Sequence, residues 1–326
     1  MSREGKRQFG DESRRPRKGN NGTFDHDLRE RMTTGDLNFK HKQAQHESGI
    51  MAVAIRDVVT IPPTTTIIGA ARTMVGYGCR RVPIADAGTK RLKGICTVID
   101  IIDFLGGGEK RKIIDRVYDG NMIVAINGPI TEIMESDVAT VGSDASLEDA
   151  ITTMIDRSVG GVPVIDQEGI IVGIITERDI VRLMGDSVSG KKVKDIMSKH
   201  VTTALPNMSI EAAAKTMIAS GFRRLPVVAD NYVCGIITAT DIMRYLGNGE
   251  VFKKLVTGNI NEAFSAPISS IMKGDIVTIG PDQDLSETSR IMHQNKIGSL
   301  PVISGHKLIG ILTERDILIS MKGGKE

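Results

Sequence analysis

Residues 201–246 read VTTALPNMSIEAAAKTMIASGFRRLPVVADNYVCGIITATDIMRYL. A short β-branched run, VTTA, ends at a turn holding Pro206. Ser209 then offers an N-cap, and Ile210, Ala213, Ala214, Met217 and Ile218 share one face of a helix. Gly221 terminates that helix, as glycine does after a helical last turn. A strand (LPVV), a turn with Asp230, a second strand (CGIIT) and a closing helix (DIMRYL) follow. Such continuous apolar strands need cover on both faces. A unit of roughly 55 residues is marginal alone, so units are expected to pair.

The same pattern recurs on both sides of this stretch. Residues 58–86 (VVTIPPTTTIIGAARTMVGYGCRRVPIAD) and 92–105 (LKGICTVIDIIDFL) make one copy. Residues 138–166 and 170–184 make a second, ending GIITERDIVRLM, and residues 276–304 and 307–321 a fourth, ending GILTERDILISM. Repetition at this period decides the architecture before any single element does. The linkers show a second level of order. Residues 104–134 and 245–272 share L-G-x-G-E and P-I-x-x-I-M, whereas the junction at 184–197 is shorter and different. The chain is therefore a duplicated two-unit module. The boundaries expected are an arm at 1–50, units at 51–106, 129–186, 187–248 and 267–321, and linkers at 107–128 and 249–266.

Composition narrows the function. Of 326 residues 40% are hydrophobic and 25% charged, values of a globular chain with a real core. Aromatics are 3% with no Trp, so a stacking wall for single-stranded nucleic acid is not available. The net charge is +2. Residues 1–50 hold 11 Lys/Arg against 8 Asp/Glu, and the rest 31 against 32, so the main body lacks a nucleic-acid footprint. The arm has little apolar periodicity and reads as disordered; Phe9, Phe24 and Phe39 within it are incidental or are docking points. Cys79, Cys96 and Cys234 are isolated, which argues against disulfides or zinc and fits a reducing cytoplasm. No apolar run approaches a membrane span, and the N-terminus lacks a secretory apolar region. Of the histidines, His26, His41 and His46 lie in the arm and His200, His293 and His306 are scattered. With no nucleophile elbow, P-loop or Ser-His-Asp order, the chain is expected not to be an enzyme.

The ending G-h-h-T-x-x-D (h, apolar) behind x-x-h-P-h-h resembles the cystathionine-β-synthase (CBS) domain, in four copies over nearly all of residues 51–320. The resemblance implies an α/β fold of four tandem β-α-β-β-α units paired into two Bateman modules, forming a pseudo-symmetric disc. It is similar in architecture to the γ subunit of AMP-activated protein kinase and to stand-alone prokaryotic multi-CBS proteins. It implies adenosine ligands (AMP, ADP or ATP, with S-adenosylmethionine a further candidate) in clefts between paired units, and regulation of an unidentified partner. One chain would close its own disc, as a monomer or as a disc-on-disc homo-oligomer.

Thr-x-x-Asp recurs as Thr97/Asp100, Thr176/Asp179, Thr238/Asp241 and Thr313/Asp316. At a strand-to-helix junction it is close to a capping box, although that box prefers Glu or Gln at its last position. A carboxylate also suits a ribose diol, and a Thr hydroxyl at a helix N-terminus suits a phosphate; the family resemblance implies both roles. Arg80-Arg81 and Arg223-Arg224 precede the first strand in copies one and three, where copies two and four have Gly160-Gly161 and Gly298-Ser299. These arginines are candidate phosphate clamps or surface charge, and the small residues would leave room for a ligand or a neighbouring unit. Arg178 and Arg315 could add phosphate charge or form salt bridges. Thr60, Thr140, Thr203 and Thr278 lie where the family's adenine edge would meet backbone, or are ordinary strand residues. Lys110, Lys112, Lys253 and Lys254 read as solvated. Two other function classes remain open: a nucleic-acid-associated regulator using the arm, and a structural oligomerisation module with empty clefts.

Overall fold

The computed structural model describes residues 49–106, 108–253 and 260–322. The arm's three phenylalanines and three histidines, and Lys254, lie outside the described residues. Each repeat's first helix starts at a polar cap. Thr66 Oγ1 accepts from Gly69 N at 3.1 Å to open Ile67–Tyr77. Ser146 caps Leu147–Asp156, and Ser209 Oγ accepts from Ala212 N at 3.1 Å to open Ile210–Ser220. Asp284 caps Leu285–Gln294. Gly221 ends the third of these helices in the left-handed region (φ 66°), where glycine avoids the Cβ penalty. Ile210, Ala213, Ala214 and Met217 are buried, with Ile218 half-buried at the edge of that face.

An antiparallel hairpin follows each helix: β1 (Arg81–Ala85) with β2 (Leu92–Thr97), then, after β3 (Val141–Gly142), β4 (Gly161–Ile165) with β5 (Ile171–Thr176). β6 (Arg224–Ala229) pairs with β7 (Tyr232–Thr238), and β8 (Ser299–Ser304) with β9 (Lys307–Thr313). The closing helices are Val98–Gly106, Glu177–Met184, Ala239–Gly247 and Glu314–Lys322. The first strand expected in every repeat is shorter than its β-branched sequence suggests. Only repeat 2 forms one, β3, parallel to β4. Elsewhere it shrinks to one parallel bridge, Ile61↔Ile84, Ala204↔Val227 or Ile279↔Val302. Pro62, Pro206 and Pro281 follow within two residues and have no N–H with which to extend the ladder.

The repeats pair by exchanging their leading segments. Ile55, ahead of repeat 1, bridges to Ile174 of repeat 2, and Glu135, ahead of repeat 2, bridges to Ile95 of repeat 1. Ser198 with Ile311 and Lys273 with Ile236 repeat the exchange in the second half. The glycine of G-h-h-T is where the exchanged segment crosses. A Cβ on Gly94 would fall 2.9 Å from Glu135 O, and one on Gly235 would fall 2.8 Å from Lys273 O. Packing also moves the edge of the folded body: Ile50, expected in the arm, is fully buried in the core of repeat 2, and its N–H donates to Ala145 O at 3.1 Å.

Helices join the two modules. Repeats 1 and 3 share one apolar cluster that includes Phe104, Leu105, Met217, Tyr245 and Leu246. Repeats 2 and 4 keep separate clusters but trade one residue each: Leu318 enters that of repeat 2 and Val181 that of repeat 4. With repeat 1 also paired to 2 and repeat 3 to 4, all four units face a common centre.

Candidate functional site

The two sequence motifs form one local structure in each repeat. Antiparallel register sets Arg81 opposite Thr97, Gly161 opposite Thr176, Arg224 opposite Thr238 and Ser299 opposite Thr313. The N–H after each Thr donates to the carbonyl one residue before the strand: Val98 to Arg80 at 3.0 Å, Glu177 to Gly160 at 3.2 Å, Ala239 to Arg223 at 2.9 Å and Glu314 to Gly298 at 3.2 Å. The Arg or Gly pairs are thereby fixed beside the first turn of each closing helix.

Capping uses only one oxygen of each aspartate. Oδ2 of Asp100 accepts from Thr97 N and Oγ1, both at 2.7 Å. Oδ2 of Asp241 accepts from Thr238 N at 3.0 Å and Oγ1 at 2.5 Å. Asp179 and Asp316 cap in the same way. The other oxygen, Oδ1, meets a different group in every copy. Asp100 meets the Lys110 ammonium, Asp179 meets Arg182 at 3.9 Å, Asp241 meets Arg244 at 3.0 Å, and Asp316 meets the Ser198 hydroxyl at 3.3 Å. Helix capping and ligand contact therefore do not compete for the same atom.

A cavity of about 750 Å³ lies where the four repeats meet. Thr97, Asp100, Thr238 and Asp241 line it, as do Arg80, Arg81, Arg223 and Arg224. Thr176, Asp179, Thr313 and Asp316 do not line it; repeats 2 and 4 contribute the small Gly160-Gly161 and Gly298-Ser299 pairs, with Arg178 from a closing helix. Thr60, Thr203 and Thr278 are exposed and Thr140 half-buried, all outside its lining.

The small residues make room for arginines of the neighbouring module half. Arg81 Nη1 donates to Gly160 O and Arg224 Nη1 to Gly298 O, both at 2.5 Å. A Cβ on Gly161 would lie 2.8 Å from Ile175 O and on top of the Arg81 guanidinium. Arg81 and Arg224 thus join adjacent repeats with one N–H while lining the cavity. Burial, together with the neighbouring guanidiniums, pushes both down to about 10. Both stay charged at neutral pH, so the cavity wall holds crowded positive charge.

Sequence reasoning missed the anions that hold this crowd. Glu314 accepts from Arg178 Nε at 2.8 Å and lies 3.4 Å from Arg80. Glu177 accepts from Arg315 Nη1 at 3.0 Å and lies 4.0 Å from Arg223. Both carboxylates are buried. Burial pushes the Glu314 carboxyl up, but Arg80, Arg178 and Arg224 outweigh it, and the net position is below the ordinary value. Arg315 also donates to Met154 O and Ile155 O at 3.3 Å, at the C-terminal end of a repeat 2 helix. Arg178 and Arg315 therefore form salt bridges, and of the two only Arg178 also lines the cavity. A readable signal existed: T-E-R-D occurs in repeats 2 and 4 alone, and Arg-Arg in repeats 1 and 3 alone.

Lys110 departs from its solvated reading. Its ammonium contacts Asp100 Oδ1 and donates to Ile133 O at 2.6 Å, with the side chain 24% exposed. Lys112 is exposed beside Glu109, and Lys253 is exposed. Burial raises the Cys79 and Cys96 thiols, which keeps them protonated and unreactive. Among the described residues no group of three His, Cys, Asp or Glu side chains could hold a metal ion, and no helix is long and apolar enough to cross a membrane.

The CBS domain profile matches residues 50–107, 130–186, 193–248 and 268–323. An uncharacterized protein of Methanocaldococcus jannaschii, MJ1225, is 39% identical over 81% of this chain and 95% of its own length. Its crystal structure, described as that of a candidate archaeal homologue of γ-AMPK, superposes with a TM-score of 0.80 over 84% of this chain and 100% of that one. A protein from the ribosomal RNA operon of Thermofilum pendens is 28% identical over 80% of this chain and 87% of its own. A Pyrococcus horikoshii structure, 22% identical with a TM-score of 0.54 over 84% of this chain and 100% of its own, shares the fold.

Proposed function

This chain belongs to the CBS domain family, and from that premise we propose that it is a non-catalytic sensor of adenosine nucleotides that passes its state to a partner protein. The observation that carries the reading is one cavity in which two Thr–Asp pairs, in repeats 1 and 3, share the lining with arginines of repeats 1, 2 and 3. Its volume, about 750 Å³, lies within the roughly 300–1,000 Å³ of small-molecule sites.

Asp241 and Asp100 are the ribose acceptors, each through the oxygen not used in capping. Arg80 and Arg223, whose carboxylate contacts are the longer ones, are the phosphate ligands, with Arg81 and Arg224 contributing donors beyond those given to Gly160 and Gly298. Crowded guanidiniums favour anions, so AMP, ADP and ATP suit the cavity better than S-adenosylmethionine, whose sulfonium adds positive charge. Asp179 and Asp316 would serve clefts outside this cavity. Phosphate arriving at Arg80 or Arg223 would compete with Glu314 or Glu177, and loss of those contacts would alter how repeat 1 meets repeat 4 and repeat 3 meets repeat 2. The likeness of MJ1225 to γ-AMPK, as its structure is described, supports a regulatory role.

The test is the ligand itself. Gently purified protein is denatured and its small molecules identified by mass spectrometry, and melting is followed with AMP, ADP, ATP and S-adenosylmethionine. A ligand at ~100 times its dissociation constant stabilises by about 2.7 kcal/mol. Absence of any bound nucleotide and of any shift at millimolar ligand would overturn the reading in favour of a structural module.

A further inference from the structure

The duplication predicts two equal half-sites in the cavity, one at Asp100 and one at Asp241, yet their surroundings differ in two places. Three residues after Asp100 stands Asp103, and three after Asp241 stands Arg244. Aligning the two L-G-x-G-E linkers sets Lys110 against Val251. Val251 is fully buried in the core shared by repeats 1 and 3. Lys110 instead turns to the cavity wall.

The consequence is a difference in how firmly each Oδ1 is held. Arg244 reaches Asp241 from the next turn of the same helix, makes one contact at 3.0 Å and is 46% exposed. Swinging that guanidinium into solvent breaks nothing else among the hydrogen bonds described for it. Lys110 is held at three points. Its ammonium bonds Asp100 and Ile133 O, and its backbone N–H donates to Asp103 Oδ1 at 3.0 Å. Ile133 is buried and stands two residues before Glu135, whose backbone pairs with Ile95 in the exchanged segment. The lysine therefore joins the helix of repeat 1, the linker and the entrance to repeat 2.

We propose that Lys110 is a built-in latch that closes the Asp100 half-site, so that the cavity takes its first nucleotide at Asp241 and a second only when the Lys110 ammonium leaves Asp100. This rests on the nucleotide reading of the cavity. The ammonium occupies the carboxylate oxygen that a ribose diol needs, and a diol, being neutral, hydrogen-bonds the carboxylate but does not replace the opposite charge of the ammonium. Release of the latch frees the linker from Ile133, so filling the second half-site alters the exchanged segment while filling the first does not.

The experiment is native mass spectrometry and calorimetric titration of the full chain with AMP and ATP. The parent, Lys110→Met and Lys110→Met/Asp241→Ala are compared. Methionine keeps much of the side-chain stem and removes the charge. At a nucleotide concentration that fills only the first site of the parent, the latch predicts one more nucleotide bound per chain in Lys110→Met, with the affinity of the Asp100 half-site raised roughly tenfold or more, the worth of a charge-assisted contact. It also predicts that the double variant returns to the parental count, now through Asp100. Should Lys110→Met fold poorly, amine labelling of the parent decides: Lys110 is protected at the first equivalent of AMP and labelled only at saturation. An unchanged count in Lys110→Met at the concentration that fills one site of the parent, or Lys110 labelled equally at every AMP concentration, overturns the latch while leaving the nucleotide reading intact. A parent that binds no nucleotide overturns the reading on which it rests.

Discussion

Glu314 of the fourth repeat accepts a hydrogen bond from Arg178 of the second at 2.8 Å, and the same pair of residue types is bonded crosswise at 3.0 Å between Arg315 and Glu177. Two copies of T-E-R-D thus clasp each other beneath the cavity. Each carboxylate also faces an arginine of the other module, Arg80 or Arg223.

Removing one carboxylate should expose what it holds. Glu314→Gln leaves Arg80 and Arg178 without their anion beside two further guanidiniums. Because both arginines are about a third exposed, the cost is about 1–3 kcal/mol rather than that of a dry pair. Differential scanning fluorimetry should show a melting point a few degrees lower. ATP should then raise it by more than it raises that of the parent, because phosphate replaces the lost charge. A smaller rise in the variant would show that Glu314 is not an internal stand-in for phosphate.

The same carboxylate sets an acid limit. Its folded pKa is below the ordinary glutamate value of 4.5, so it stabilises the fold above that value and loses the contribution as pH falls through the depressed one. Urea titrations should find the gap between parent and Glu314→Gln constant from pH 7 to about 5 and closing only below 4.5. A gap that closes above 5 would contradict the direction of the shift.

One substitution should act with opposite sign at two glycines. Gly235→Ala places a Cβ 2.8 Å from Lys273 O, where the exchanged segment crosses, and should lower stability by roughly 1–3 kcal/mol. Gly76→Ala, on an exposed helical position with nothing within 4 Å, should raise it by about 0.5–1 kcal/mol. Equal effects measured by denaturation would remove the exchange as the reason for the strand glycine.

Much of this was legible in the chain because repeats expose local physics four times over. The caps at Ser209 and Gly221, the hairpin strands and the alternation of Arg-Arg with Gly-Gly all follow from residue type and spacing. The pairing of acid with base was readable too, since T-E-R-D and Arg-Arg never share a repeat. What was not legible depends on packing between distant repeats. Thr97/Asp100 and Thr238/Asp241 carry the same motif as the other two pairs, and only the meeting of repeats 1 and 3 brings them into one cavity. Lys110 looks like any linker lysine until Val251 is seen buried at the matching place. The first strands are shorter than their β-branched residues suggest because Pro62, Pro206 and Pro281 follow them.

The most direct test of the account is nucleotide titration of Asp241→Glu against the parent. Glutamate preserves the capping geometry, being the residue the capping box prefers, so the melting point of the empty protein should barely move. Its extra methylene carries the free oxygen into the space a ribose would fill. The account predicts that calorimetry finds the affinity of the first AMP or ATP site reduced about tenfold or more. A variant that binds both nucleotides as tightly as the parent would show that Asp241 only caps its helix, and would contradict the assignment of the cavity as the nucleotide site.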